Sequence, residues 1–520
     1  MNEEKVYIYD TTLRDGTQRE GISLSLNDKL NIAQKLDEFG VAYIEGGWPG
    51  SNPKDAEFFQ AVRDMEFKHA KIAAFGSTRR KNSETESDPN IRALMDAETP
   101  VITLVGKSWD LHVRDVLETD LEENLAMISE SVAYMKANGK EVIYDAEHFF
   151  DGYKANPNYA LMTVKVAAEA GADCVVLCDT NGGMMTWELH DVVAKVAAEV
   201  NTDVGIHTHD DGGCAVANSL TAVSAGATHV QGTINGYGER VGNANLCTIV
   251  PDLQLKMGKA CVPDEALPRV GELSRFIAEV ANLPHDDHWP FVGASAFAHK
   301  GGIHVAAMRK NPLSYQHINP ILVGNEQRTV ISELSGRGNV LDKAAEFGIE
   351  VDSDEARAIV LQIKQLEAEG FSFEAGEASM SLLLRRLKPD YKVPFETVGF
   401  TTWIGHREGD RMISDASVKI RIDGELFHTA AEGNGPVNAL SLALRKAFFD
   451  KFPQLATVHL TDYKVRILDS ENGTSARVRV LIDFIDGDRA WSTVGASENI
   501  IEASWRALTD SYEYALLNND

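Results

Sequence analysis

Two histidines spaced two apart, His207 and His209, close an apolar run that begins Val204-Gly205-Ile206. In a strand, residues i and i+2 share a face. Both imidazoles therefore point the same way, as a divalent-metal clamp requires. Near the N-terminus another apolar run leads into Asp10-Thr11-Thr12-Leu13-Arg14-Asp15-Gly16. The Asp15 carboxylate could complete such a clamp, with Arg14 beside it to hold an anionic substrate. These residue types together point to an enzyme.

The elements that must position these groups are legible as a rhythm. Short apolar runs recur at 6–10, 41–45, 71–75, 101–105, 141–145, 174–179, 204–207 and 229–234. Stretches with helical apolar spacing lie between several of them, at 29–39, 121–138, 159–170, 189–200 and 215–225. Gly40, Gly139, Gly171 and Gly226 each fall just before the next strand, where a helix C-cap glycine belongs. Eight strand–helix units predict an α/β fold of the closed (β/α)8 TIM-barrel type. No GxGxxG follows the first strand, which argues against a dinucleotide fold.

Barrel enzymes place their chemistry at the C-terminal ends of the strands. Here those ends carry Arg14 and Asp15, Glu45, Asp145 and Glu147, Asp179 and Thr180, His207 and His209, then Asn235, Glu239, Arg240 and Asn243. Helix capping would account for Asp179 or Thr180. It does not account for two histidines together with an Arg–Asp pair.

At 520 residues the chain is long enough for several domains. A formal net charge of −28 disfavours nucleic-acid and anionic-membrane partners. No uninterrupted apolar stretch approaches the ~18 residues of a membrane span. Met1-Asn2-Glu3-Glu4-Lys5 lacks the basic start and apolar run of a signal peptide, so a cytoplasmic protein is expected. The five cysteines show no CxxC spacing and read as small core residues in a reducing compartment.

Three segments carry a family resemblance: DTTLRDGTQ at 10–18, HTHDDGGCAVAN at 207–218 and NGYGERVGNANL at 235–246. They resemble the metal-dependent Claisen-condensing synthases, the group of 2-isopropylmalate, homocitrate and citramalate synthases. YDAEHFFDGYK at 144–154 is most similar to the citramalate-forming branch. The resemblance implies a divalent cation (Mn, Mg or Zn) held by Asp15, His207 and His209, with Asn243 as fourth contact. It implies Arg14 as a fixed positive charge beside the keto oxygen of a 2-oxo acid, and Thr180 as a hydrogen-bond partner of the acid's carboxylate. Acetyl-CoA would be the second substrate, deprotonated through Glu147 and His304, with His299 competing for the imidazole role and Tyr315 completing the outer group. Leu104 and Tyr144 would narrow the pocket around the oxo acid and favour pyruvate over 2-oxoisovalerate. Arg79 and Arg80, in Thr78-Arg79-Arg80-Lys81 after strand three, could steer CoA phosphates or the oxo acid, or form a solvated loop. His285-Asp286-Asp287-His288 reads as an exposed loop between prolines rather than a ligand set.

The βα rhythm stops near Val262, and 284–338 is rich in Pro, Gly, Asn and His, as an irregular, partly ordered connector would be. Helical stretches follow at 353–369 and 377–387. From Val393 onward a pseudo-repeat appears: two alternating strands joined by an Asp–Gly turn, then an amphipathic helix, twice over. The expected domains are a barrel at 1–270, linker and lid elements at 271–390, and an α+β regulatory domain at 391–520. EGNGPVNAL resembles the family's feedback domain, which implies a homodimer and isoleucine as effector. The rival functions are a 2-isopropylmalate synthase, and a metal-dependent aldolase or acyl-CoA lyase, whose members usually lack the C-terminal repeat. A biotin-dependent carboxyltransferase would need a modified lysine in the barrel, and a catalytically dead sensor would not keep this full set of polar strand ends.

Overall fold

The computed structural model describes residues 4–332, 334–407, 411–469, 475–487 and 489–517. Met1, Asn2 and Glu3, and Asp488 of the second predicted turn, lie outside the described residues. The chain divides into two compact units, Met1–Phe297 with Ile318–Glu326, and Ala298–His317 with Gln327–Asp520.

The first unit is a closed parallel barrel of eight strands. These are β1 (Tyr7–Asp10), β2 (Tyr43–Gly47), β3 (Lys71–Ser77), β4 (Val101–Lys107), β5 (Glu141–Glu147), β6 (Cys174–Asp179), β7 (Asp203–Thr208) and β8 (His229–Gly232). β8 closes on β1 with Tyr9 opposite Gln231. The predicted barrel is the observed one. Local signals start and stop its helices: Ser25 caps Leu26–Phe39 through a capping box with Asp28, and Gly40 ends it at φ 94°. A Cβ on Gly40 would lie 2.3 Å from Cδ of Pro263, so glycine is required there twice over.

Strand parity then sorts the interior. One face of the strands, with Ile8, Ile102, Leu104, Tyr144, Leu177 and Ile206, packs against the helices in the main core. The alternate face fills the barrel with Tyr9, Tyr43, Val101, Ile143, Val176 and Cys178. This plug blocks the lower barrel and leaves space only above the strands' C-terminal ends.

The second unit begins with a two-residue parallel pairing of β9 (Ala298–His299) and β10 (Arg328–Thr329). The connector is partly ordered, as expected: helix Gly302–Lys310 forms within it, and helix Arg337–Glu346 begins at its end. Their short apolar faces were masked by the surrounding glycines and prolines. Helices Ser353–Ala368 and Glu377–Arg386 match the expected ones closely. The pseudo-repeat has three strands per copy, not two: β11 (Glu396–Arg407), β12 (Arg411–Ile422) and β13 (Glu425–Gly433), then helix Pro436–Phe448; and β14 (His459–Ile467), β15 (Val478–Asp486) and β16 (Arg489–Ser497), then helix Ile500–Leu517. β14 is an edge strand, exposed or half-exposed along its length, so it lacks the in–out alternation that marks a half-buried strand. Both helices pack onto their sheets in one shared core around Leu440, Leu444, Val480, Ile482 and Leu508. Arg386 reaches from Glu377–Arg386 to the buried Glu513 on Ile500–Leu517, at 2.7 and 3.0 Å. Among the described residues no helix is long and apolar enough to cross a membrane.

Candidate active site

Above the interior plug a cavity of about 790 Å³ opens at the strands' C-terminal ends. Asp15, His207 and His209 stand in its wall, all buried. Their ligand atoms lie within 4.8 Å of one another, and no other such group of His, Cys, Asp or Glu occurs among the described residues. His207 Nε2 is 3.3 Å from His209 Nε2 and 3.6 Å from Asp15 Oδ2, and His209 Nε2 is 4.0 Å from the same oxygen. Ligands about 2.0–2.2 Å from one cation sit roughly 3.0–3.5 Å apart, so only small shifts separate these atoms from a common ion.

Three observations fit a cation here. Asp15 Oδ1, His209 Nδ1 and Asn243 Oδ1 are buried with no hydrogen-bond partner, a cost a native core rarely carries without reason. Burial holds both imidazoles below their ordinary range, His209 to about 4 with His207 adding to the effect, so their nitrogen lone pairs are free at neutral pH. Burial would raise the Asp15 carboxyl, but Arg14 and then the two imidazoles outweigh it and hold it near 2. The donor set is thus one carboxylate and two neutral imidazoles, the mixed oxygen and nitrogen set suited to Mn, Mg or Zn.

The surrounding residues fix these donors in place. An isolated antiparallel bridge sets the backbone of Asn243 against His209. Gly238 makes room for the Asn243 amide, because a Cβ there would fall 2.0 Å from Nδ2. Arg14 donates to Glu45 Oε2 at 2.6 Å and to Asp15 Oδ2 at 3.0 Å, and its guanidinium lies 4.0 Å over the Phe75 ring. Glu45, fully buried, also accepts from Tyr9 Oη at 2.7 Å and from Thr11 Oγ1. Glu147 ends β5 facing the cavity and pairs with Lys107, its register partner on β4. Thr180 lines the cavity, its hydroxyl accepting from the His148 amide at 2.8 Å and its carbonyl from Arg240 at 2.7 Å.

The comparisons agree along the whole chain. The HMGL-like family profile matches residues 5–273, the homocitrate synthase post-HMGL domain-like profile 291–370, and the LeuA allosteric (dimerisation) domain profile 377–516. The (R)-citramalate synthase of Aquifex aeolicus is 55% identical over 99% of this chain and 99% of its own. That of Geobacter sulfurreducens is 53% identical over 98% and 97%. The chain belongs to the citramalate synthase family. A probable 2-isopropylmalate synthase of Methanopyrus kandleri stands further off, at 34% identity over 97% of both chains.

In this citramalate synthase relative, two residues expected at the pocket wall are elsewhere. Leu104 and Tyr144 are fully buried between barrel and helices, on the outward face of β4 and β5. Side chains alternate along a strand, so a placement wrong by one residue turns them to the opposite face. Their neighbours Val105 and Asp145 line the cavity instead, together with Trp48 and Phe75. The aromatic pair packs edge to face at 5.5 Å. Asp145 is one of the polar strand ends expected from the sequence; parity counted along β4 would also have found Val105 and Lys107. Asp145 is buried, and burial followed by the charge of Glu45 raises its carboxyl to about 8.

Arg79 and Arg80 both border the cavity. Arg79 is buried and neutralised by Glu123 at 2.7 Å and Glu130 at 2.6 Å, whereas Arg80 is exposed. Asp179 accepts from the amides of Gly183 and Met184, both at 3.1 Å, and so braces the loop ahead of helix Thr186–Glu199, whose N-cap is Met185; it does not cap that helix. Asn235 is a structural anchor, bonded to Ser274 on helix Val270–Val280. His285 bonds Ser274 at 2.9 Å and joins no metal-binding group among the described residues. The five cysteines are free thiols, four of them buried. His304 and Tyr315 belong to the second unit, where their exposed rings stack at 4.3 Å and 25°.

Proposed function

We propose that the chain condenses acetyl-CoA with pyruvate and hydrolyses the thioester, releasing citramalate and CoA in the threonine-independent route to isoleucine. The observation that carries this reading is the full-length likeness to proteins named (R)-citramalate synthase, at 55% and 53% identity, with the buried Asp15, His207 and His209 at the barrel mouth.

Asp15, His207 and His209 hold a divalent cation, with Asn243 at its edge. Bound there, the cation supplies Lewis acidity to the keto group of the oxo acid. Arg14 presents a fixed positive charge on the same side, set before substrate arrives. Thr180 binds the oxo acid's carboxylate. Glu147 takes part in removing a proton from the acetyl methyl, with the His304 imidazole as its partner and Tyr315 beside it. Arg80 meets the CoA phosphates; Arg79, already paired twice, braces the loop. The division of labour follows residues 1–270 as the catalytic barrel, 271–390 as linker and lid elements that also carry His304 and Tyr315, and 391–520 as the feedback domain. Isoleucine acts on the last of these, which pairs in a homodimer, and the enzyme works in the cytoplasm without nucleic-acid or membrane partners.

A free-thiol assay tests the reading. Metal-dependent CoA release should be at least tenfold more efficient with pyruvate than with 2-oxoisovalerate. Equal or better use of the branched acid would make it a 2-isopropylmalate synthase, and cleavage of a 3-hydroxyacyl-CoA or a hydroxy acid without release of free CoA would make it a lyase or aldolase.

The corrected strand faces give a second expectation. Leu104→Ala should cost about 2–5 kcal/mol of stability, read by thermal unfolding, while leaving the substrate ratio within about twofold. Val105→Ala should leave stability nearly unchanged and raise relative use of the larger oxo acid by about tenfold or more.

A further inference from the structure

Gln231 sits on β8, fully buried, with its side chain on the inner face of the barrel directly opposite His207 in the β7–β8 register. Its amide makes two bonds in opposite directions. Oε1 is 2.9 Å from His207 Nδ1, and Nε2 donates to Asp145 Oδ1 at 2.9 Å. The second bond runs across the barrel, from β8 to β5. Gln231 is therefore a crossbar whose orientation is set at one end by a carboxyl oxygen and read at the other by an imidazole.

We infer that Gln231 is a positioning residue that holds His207 in the tautomer protonated at Nδ1, leaving the Nε2 lone pair directed at Asp15 and His209. An amide oxygen can only accept, so the nitrogen facing it must carry the proton. The neutral ring's one remaining lone pair is then on Nε2, the atom 3.6 Å from Asp15 Oδ2. Were the amide turned over, its NH2 would face Nδ1, the ring proton would move to Nε2, and His207 could no longer offer that atom to a cation. Asp145 Oδ1 accepts from Nε2 at 2.9 Å and anchors the amide in the observed orientation. Such outer partners of a histidine ligand typically carry 10–100-fold in metal affinity. This inference rests on the proposed cation at Asp15, His207 and His209, and it adds two residues that the ligand set leaves out.

The test is metal binding, not turnover alone. Chelator-treated full-length protein is titrated with Mn2+, and free Mn2+ is followed by electron paramagnetic resonance. Failure of the unmodified protein to bind Mn2+ would overturn the cation itself. If it binds, Gln231→Met, which keeps the length and removes both hydrogen bonds, should weaken binding about 10–100-fold. Gln231→Glu combined with Asp145→Asn restores an acceptor for His207 and a donor behind it, and should return affinity to within about threefold of the original. Circular dichroism and gel filtration check that each variant is folded. Binding by folded Gln231→Met within twofold of the original overturns the inference while leaving the cation site standing. Should Gln231→Met not fold, the paired variant decides alone: near-original affinity supports the crossbar, and a tenfold or greater loss refutes it.

Discussion

Asp15→Ala should lower kcat/KM by about 10³-fold or more, and the purified protein should bind less than a tenth of the Mn2+ bound by the original chain. The size of the effect follows from what Asp15 does electrically. It is the one anionic member of a buried set whose other members are neutral imidazoles. Without it, a divalent cation held by the remaining residues would have no counter-charge among them. Arg14 would meanwhile keep its bond to Glu45 at 2.6 Å, so the fold should survive and thermal unfolding should shift little. Added metal should rescue part of the loss if affinity alone has fallen. Turnover above a tenth of the original without bound metal would remove the cation from the reaction.

Glu147→Gln should reduce kcat by about 10²–10⁴-fold while the dissociation constant for pyruvate changes by less than about threefold. The change is nearly isosteric and leaves the β4–β5 register intact, but the amide cannot accept a proton in the transition state. Exchange of the acetyl methyl protons with solvent deuterium, measured in the presence of a non-reactive oxo acid, should disappear in parallel. Lys107 complicates the interpretation in a useful way, because its ammonium loses its carboxylate partner. Lys107→Met alone should therefore be compared: if it reproduced the whole defect, Glu147 would owe its importance to the ion pair and not to proton transfer.

How much of this was legible in the sequence depended on the kind of signal. The barrel was readable because short, mostly apolar runs recur eight times and several of the following helices end at a glycine such as Gly40. The Asp15–His207–His209 grouping was readable because strand periodicity and the barrel rule together bring distant segments to one rim. Leu104 was misplaced because β4 is largely apolar and gives little alternation from which to read its faces; Tyr144 was misplaced on the family resemblance although Glu141, Asp145 and Glu147 mark the opposite face of β5. Lys107 was passed over because VITLVGK reads as a largely apolar run with a charge beyond its end. Gln231 carried no signal of its own, since a lone glutamine in a strand acquires meaning only from what stands opposite it. In the second unit, β11 and β14 escaped because an edge strand with much of both faces in solvent does not look like a strand in hydropathy.

The convergence of Tyr9, Thr11 and Arg14 on Glu45 has a thermodynamic side. A flexible arginine that had to be immobilised by each incoming substrate would surrender rotamer freedom at every encounter, at roughly 2 kcal/mol for the whole side chain. Here that freedom is lost once, when the polypeptide folds, and the guanidinium waits in one pose between catalytic cycles. Attraction between the oxo acid and the barrel rim can then go toward alignment of the reactants rather than toward quieting the protein.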